Sequence, residues 1–348
     1  MKIGMVSKFM PEKDGIAIYS ENLCRELQKL CTVVKIGDEK SESADYKTSF
    51  TSFRLKQQLQ KIIDKEKIEL LHIQYIGAYF GRKTLNLNLL QALSQKVPVI
   101  CTMHEVHYNY EGYNFMRKKV LAFLEKEVVK KSDAVIAHTP QQKAFLQGKY
   151  NAKNIECIYH GLELVSSKKT HDKKILFFGK ISRKKGLELL IKAMKMLPEF
   201  KLNIVGSFTD KKHEMKIRKM TANTPNITTR FGWVSNDERW KHFREADILA
   251  LPYIQAQYQS GPLHNAVSAG LPVIVTRTGA LHEIAEQFKF GEIVEKTPEA
   301  IAEGIKKATA NYDEYKKGLE AYRKEANWKT VAEKHAELYE KIIRNKEQ

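Results

Sequence analysis

Short apolar runs alternate along this chain with longer stretches in which apolar residues recur every three or four positions. Lys2–Val6 reads as a buried strand, and Ile18, Leu23, Leu27 and Leu30 line one face of a helix predicted over Gly15–Leu30. Strands follow at Thr32–Ile36, Leu70–Gln74, Val97–His104, Ala134–His138 and Ile155–Tyr159, with helices at Arg54–Lys67 and Phe115–Lys131. Residues 164–173 are polar, with paired serines and a Lys-rich end, and read as a linker. The alternation then restarts. Strands are predicted at Lys174–Phe178, Lys201–Val205, Ile227–Phe231, Ile248–Leu251 and Val273–Thr276. Helices are predicted at Leu187–Leu197, Asp210–Met220, Asp237–Glu245, Leu263–Ala269 and Pro298–Ala310, and Trp328–Arg344 closes the chain as a long helix. Such a rhythm is the mark of parallel sheets covered by helices. The expected fold class is α/β, with two Rossmann-like domains over residues 1–163 and 174–327 and a terminal helix over 328–348. Ligands of open parallel sheets bind at the carboxyl ends of the strands, so the two domains are expected to face a central cleft.

Composition changes this picture in one respect. The 348 residues are 43% hydrophobic and 29% charged, an ordinary globular balance that excludes long disorder and coiled coil. Lys and Arg total 59 against 41 Asp and Glu, a formal net charge of +18 that attracts something anionic: nucleic acid, an acidic membrane or a phosphorylated small molecule. Cys24, Cys31, Cys101 and Cys157 form no Cys-x-x-Cys pair, so buried thiols in a reducing cytoplasm are expected rather than a zinc site or disulfides. No run reaches the roughly 18 apolar residues of a membrane span, and the first residues read as a strand rather than a signal peptide.

Several stretches carry chemistry. In Leu251–Thr276 a strand, a polar loop and a helix opening at Ser260-Gly261-Pro262 succeed one another. Ser260 or Gly261 suits the cap and Pro262 the first turn, and free N–H groups there form an anion site. In Ile175–Gly186 a strand ends at a Gly179 turn, and Lys180, Arg183, Lys184 and Lys185 follow, placed to clamp a diphosphate. Gly15 follows the first strand and lets backbone approach a ligand, but no Gly-x-Gly-x-x-Gly is present, against a dehydrogenase. His72, Gln74 and Tyr75 lie at one strand end, and His104 and His107 just past another. The His-x-x-His spacing is weak for a metal, and no Asp-x-Asp offers a seat for a divalent cation.

In order, these pieces resemble the group 1 (family 4) retaining glycosyltransferases of the GT-B fold. Asp14-Gly15 is similar to the family's Gly-Gly loop, Thr102-Met103-His104 to its His motif, and Gly179-Lys180 through Lys185-Gly186 to its phosphate clamp. Ile204-Val205-Gly206 and Phe231 to Val234 resemble donor-loop segments. Ala246–Val273 resembles the signature region, and the Trp328 helix the one that crosses back to the first domain. The resemblance implies a metal-independent hexosyltransferase without a cofactor. It moves sugar from a UDP- or GDP-sugar to a glycan or lipid-linked acceptor and retains the anomeric configuration. It assigns catalysis to His104, Lys180 and Lys185. It assigns donor binding to Gly15, Arg183, Gly206, Ser207, Val234, Ser260, Gly261, Pro262, Leu263 and Asn265, and acceptor binding to Asp14, Gln74 and Tyr75. The family's two signature Glu residues fall here at Asn265 and at Gln257, or at Ala256 by a second count. That departure leaves two alternatives: a non-catalytic nucleotide-sugar-binding or scaffold protein, and a sugar epimerase. No nucleic-acid-binding motif accompanies the charge, so nucleic acid is not an expected partner. Residues 54–131 hold 14 Lys and Arg against 7 Asp and Glu. The helix Phe115–Lys131 fits either an anionic membrane surface or a packing helix with a solvated Lys face. The expected location is the cytoplasm, peripheral on the cytoplasmic face of the membrane in the first case.

Overall fold

The computed structural model describes residues 1–11, 15–80, 88–108, 114–166, 172–255, 260–278 and 281–347. Asp14, Ala256 and Gln257 lie outside them. The chain divides into two compact units, one of Met1–Gly161 with Trp328–Gln348 and one of Leu162–Asn327.

The first unit runs β1 (Lys2–Val6), α1 (Gly15–Leu27), β2 (Thr32–Gly37), β3 (Tyr46–Lys47), α2 (Leu55–Glu66), β4 (Leu70–Tyr75), α3 (Asn88–Ala92), β5 (Val99–Met103), α4 (Phe115–Lys131), β6 (Ala134–Ala137), α5 (Pro140–Tyr150) and β7 (Ile155–Cys157). Its strands pair in parallel in the order β3-β2-β1-β4-β5-β6-β7. The second unit runs β8 (Lys174–Phe178), α6 (Leu187–Met194), β9 (Lys201–Gly206), α7 (Lys211–Ala222), β10 (Ile227–Phe231), α8 (Asn236–Glu245), β11 (Ile248–Leu251), α9 (Gly261–Ser268), β12 (Val273–Thr276), α10 (Leu281–Phe288), β13 (Gly291–Val294), α11 (Pro298–Ala310) and α12 (Tyr312–Ala326). Its parallel order is β10-β9-β8-β11-β12-β13. The last helix, α13 (Trp328–Glu347), belongs to the first unit.

Side chains alternate across each strand, so one residue in two faces each side of the sheet. In the first unit Ile3, Met5, Leu70, Ile100, Ala134 and Ile136 face α1 and α13, while Val6, Leu71, Ile73, Cys101 and Val135 face the other layer. α13 buries Trp328, Val331, Ala332 and Tyr339 against Tyr19, Leu23 and Leu27 of α1. Expected helix ends move where burial stops: α1 ends at Leu27, and Leu30 beyond it is half exposed. Cys24 and Cys101 are buried thiols as read from the sequence, whereas Cys31 and Cys157 are only half-buried. No described helix is long and apolar enough to cross a membrane.

The seat of α13 is tight. A Cβ on Gly161 would stand 2.2 Å from the Trp328 ring. Gly161→Ala therefore has to displace the first turn of α13, and overpacking of this kind costs about 1–3 kcal/mol. Urea unfolding is expected to show that loss, while Gly15→Ala, whose Cβ would meet nothing within 4 Å among the described residues, is expected to leave the midpoint unchanged.

Candidate functional site

The order of each sheet reverses between its two central strands, β1 and β4 in one unit and β8 and β11 in the other. Loops leave such a pair in opposite directions and open a crevice at the carboxyl ends, the usual ligand seat of an open α/β sheet. In the second unit both basic and anion-binding segments start there: Gly179–Gly186 leaves β8, and the loop to α9 leaves β11.

The segment after β8 is pinned on both sides. Ile181 N–H donates to Ser207 O at 2.8 Å and Thr209 N–H to Ile181 O at 3.2 Å, tying it to the end of β9. Ile254 N–H donates to Lys184 O at 2.8 Å, tying it to the end of β11. Two glycines make these approaches possible. Gly206 has φ +153° and a Cβ there would lie 1.8 Å from Gly179 O; Gly186 has φ +64° and its Cβ would lie 1.9 Å from Pro252 O. Only a residue without a side chain fits either place. The role expected of Gly206 as a donor contact thus becomes a packing role first.

Lys185 is the distinctive group of this loop. Its ammonium sits 3.6 Å from the centroid of the Tyr253 ring, and among the described residues no carboxylate pairs with it. Burial alone draws its pKa down from 10.5 to about 8. Tyr253 is held in turn by Thr276, whose hydroxyl donates to the Tyr253 carbonyl at 2.5 Å, and its own hydroxyl lies 3.3 Å from Ser260 Oγ. Ser260 is the N-cap of α9 and accepts from Leu263 N–H at 3.4 Å. The expected amide cradle over Ser260–Leu263 is therefore smaller than the sequence suggested. Pro262 has no N–H, Leu263 gives its own to the cap and is otherwise core, and the amides of Ser260 and Gly261 remain. No acid stands in the first turn of α9, so its dipole offers positive potential at that end. Lys180 and Ser207 are exposed, and Arg183 is exposed and paired with Asp210 at 3.5 Å. Val234 and Asn265 are half-buried.

The first unit carries a different arrangement. His72 and Gln74 of β4, Thr102 of β5, and His104 and His138 just past β5 and β6 share the parity of the face covered by α1 and α13. They form a line of polar groups in the interior. His104 Nε2 lies 2.7 Å from Gln74 Oε1, and His104 Nδ1 lies 3.4 Å from His138 Nε2. His72 Nδ1 meets Tyr339 Oη of α13 at 2.6 Å. Tyr19 of α1 sets its ring edge-on to His104 at 4.8 Å. Burial holds His104 and His72 well below the ordinary histidine range and draws His138 and His335 down to about 4, so the rings are neutral. His104 is 7% exposed, whereas Gln74 and Tyr75 are 0% and 2% exposed. Gln74 and Tyr75, expected to meet an acceptor, are thus both buried within this unit. Strand alternation turns Tyr75 into the core on one side, and Gln74 spends its amide inside the domain on the other. Gly15 opens α1, and among the described residues nothing stands within 4 Å of where its Cβ would lie.

His107 stands apart from His104. Its N–H donates to Glu125 of α4 at 3.2 Å, and Glu125 also accepts from Lys149 Nζ at 2.6 Å and Tyr150 Oη at 2.7 Å. Burial pushes the Glu125 carboxyl up, but these donors outweigh it and hold it below the usual range. This buried carboxylate anchors the loop that carries His104. Among the described residues no group of three or more His, Cys, Asp or Glu is placed to hold a metal ion. His138, Tyr19 and Tyr339 were not among the expected site residues, and they reach the line only through packing.

Comparison with known proteins identifies the class. Residues 164–326 match the family profile described as Glycosyl transferases group 1, and residues 13–165 match Glycosyltransferase Family 4. The chain belongs to the group 1 glycosyltransferases, and its two-unit α/β architecture is the GT-B fold. An uncharacterized 41.2 kDa protein in the cps region of Klebsiella pneumoniae is 25% identical over 261 residues, 67% of each chain. An uncharacterized glycosyltransferase of Methanocaldococcus jannaschii is 30% identical over 145 residues, 40% of this chain and 37% of its own length. The Anabaena protein HepE, solved in complex with UDP, is 12% identical, with 98% of this chain and all of that one covered at a TM-score of 0.74.

A buried ammonium without an acid is a burden to the free protein. Between about 8 and 10.5 the unfolded chain holds a proton that folded Lys185 has lost, so stability rises with pH across that window. Lys185→Met is expected to remove this rise and to stabilise the unliganded protein by about 1–3 kcal/mol at neutral pH, measured by urea unfolding at several pH values. A destabilised Lys185→Met protein would mean that the ammonium has a partner holding it in place.

Proposed function

We propose that this glycosyltransferase moves a hexosyl unit from a UDP-sugar to a glycan or lipid-linked acceptor, with retention and without a metal. The observation that carries the reading is Lys185, an ammonium over Tyr253 that no carboxylate pairs with among the described residues, beside the capped N-terminus of α9. Glycosyl transfer proceeds through an oxocarbenium-like state, in which negative charge grows on the departing diphosphate. Lys185, Lys180 and the Ser260 and Gly261 amides offer fixed positive charge that binds this state better than the ground state. Arg183 needs only to exchange Asp210 for the ligand. His104, in the first unit, is the candidate contact to the transferred sugar. UDP is preferred to GDP as the donor nucleotide because HepE, of the same fold, was solved with UDP.

Binding a diphosphate returns the Lys185 proton, so affinity for UDP is expected to weaken roughly tenfold per pH unit above about 8. Calorimetry across that range checks it, and Lys185→Met is expected to abolish the pH dependence and to cut kcat/KM about 100-fold or more. Thermal shift with UDP- and GDP-sugars ranks the base, and stabilisation by GDP-sugars alone would overturn the preference for UDP.

We also propose a cytoplasmic enzyme that rests on the anionic face of a membrane through the start of α4. Phe115 and Met116 are 67% and 68% exposed there, beside exposed Arg117, Lys118 and Lys119. Apolar side chains framed by cations suit the headgroup boundary. Vesicles containing phosphatidylserine are expected to sediment the protein in low salt, and Phe115→Ser with Met116→Ser to release it. Equal sedimentation of wild type and double variant would remove α4 from the contact.

A further inference from the structure

The polar line in the first unit can be read proton by proton. The Ile158 carbonyl only accepts, so His138, 3.0 Å away through Nδ1, carries its proton on Nδ1 and presents a lone pair at Nε2. That lone pair faces His104 Nδ1 at 3.4 Å. A neutral His104 can fill it only by carrying its own proton on Nδ1, which leaves His104 Nε2 as an acceptor. At 2.7 Å from Nε2 stands the Gln74 amide, placed with Oε1 toward the ring and Nε2 3.2 Å from both His72 Nε2 and Met5 Sδ. Oxygen against an accepting nitrogen is a contact of two lone pairs. The two ends of a carboxamide have nearly the same shape, and their partners decide which end is which.

Turning that amide by half a revolution completes the line. Tyr339 O–H donates to His72 Nδ1; His72 Nε2–H donates to Thr102 Oγ1, 2.7 Å away, and is shared with the Gln74 oxygen; the Gln74 N–H donates to His104 Nε2; His104 Nδ1–H donates to His138 Nε2; and His138 Nδ1–H ends on the Ile158 carbonyl. The one contact given up is N–H to the Met5 sulfur, a weak acceptor. With the amide unturned, neutral His104 and His138 point lone pairs at each other and the Tyr339 hydrogen has no acceptor among these groups. A shared extra proton on the two rings would also satisfy them, but among the described residues the ionisable groups facing His104 are His72, His138, His335 and Tyr19, none of them anionic. Glu105, next in the chain, feels His107 and Arg117 instead.

We infer that Gln74 presents its amide nitrogen to His104, and that Gln74 and His138 are positioning residues that fix the His104 proton on Nδ1, with the Tyr339 hydroxyl of α13 closing the far end of the line. The inference deepens the proposed role of His104 toward the transferred sugar and rests on that reading for its bearing on catalysis. The tautomer itself does not. α13 thereby does more than cover the sheet: its Tyr339 hydroxyl donates into the head of a line whose direction the Ile158 carbonyl sets at the other end.

The test is ring-15N histidine labelling of the full chain and long-range 1H–15N spectra near neutral pH, with His104 assigned from the signals lost in His104→Gln. The expected result is a neutral His104 protonated on Nδ1. Protonation on Nε2, or on both nitrogens, overturns the inference. Gln74→Glu places a carboxyl at Nε2 that either ionises and holds a second proton on His104 or stays protonated and donates to Nε2; a ring protonated on Nε2 alone counts against the arrangement. His138→Phe removes the lone pair that holds the His104 proton on Nδ1 and is expected to mix the two His104 tautomers and lower kcat about tenfold with KM little changed. An unchanged His104 spectrum in that variant refutes the role of His138. If a variant fails to fold, the wild-type tautomer still decides. Loss of transfer in His104→Ala, scored separately with a UDP-sugar, tests the catalytic reading, and its failure leaves the tautomer result standing.

Discussion

A parallel sheet has to be covered on both faces, and in the first unit one of those faces carries polar groups largely closed off from water. His72, Gln74, Thr102, His104 and His138 are all buried. A buried polar group without a partner costs roughly 1–3 kcal/mol. The face is tolerable only because the groups bond to one another along the sheet, and only because Tyr19 and α13 close over them. This requirement explains why α13, last in the chain, packs with the first unit, and why Gly161 is bare where Trp328 lies. It also explains why His104 is so firmly held. Its ring is bonded on both edges, flanked by Tyr19, and carried on a loop that Glu125 anchors.

The second unit solves the opposite problem. There a positive charge has to be kept available rather than neutralised. The backbone bonds from Ser207, Thr209 and Ile254 freeze the loop, so little ordering is left for a ligand to impose. Lys185 is set against an aromatic face, which attracts a cation without cancelling its charge. Burial depresses its pKa, and the same burial strengthens its pull on an incoming anion. The instability of the free site and its affinity for a diphosphate thus have one origin.

Much of the architecture was legible because apolar runs report buried strands directly. β1, β8, β10, β11 and β12 lie where the pattern put them. Elements that bury little were not legible. β3 is two residues long, β13 is a half-buried edge, and α5 buries only Gln142 and Leu146. α12 opens with Tyr312-Asp313-Glu314, which reads as a polar connection until Tyr315, Leu319 and Tyr322 are seen to share a face. The site divides in the same way. The basic loop and the Ser260 cap are local in sequence and were found. The histidine line joins residues up to 267 positions apart, and no local pattern marks it. Gln74 and Tyr75 were placed correctly at a strand end, but their faces depend on register, which only the paired neighbours define.

The family's signature acids bear on this division of labour. Asn265 stands on α9 where the second Glu is usual, and α9 contains no acidic residue at all. An acid on a helix that offers its N-terminus to a phosphate draws potential away from that phosphate while it holds a ribose hydroxyl. Replacing it with an amide keeps a hydrogen bond but removes the opposing charge. On the proposed reading, donor binding in this chain therefore leans more on the diphosphate and less on the sugar hydroxyls than in its relatives. Binding led by exposed Lys180, half-buried Lys185 and a helix terminus is screened by salt, and it discriminates weakly among donors that share a diphosphate. Selection among sugars then falls to groups with fixed direction, and in the first unit the group held most rigidly is His104.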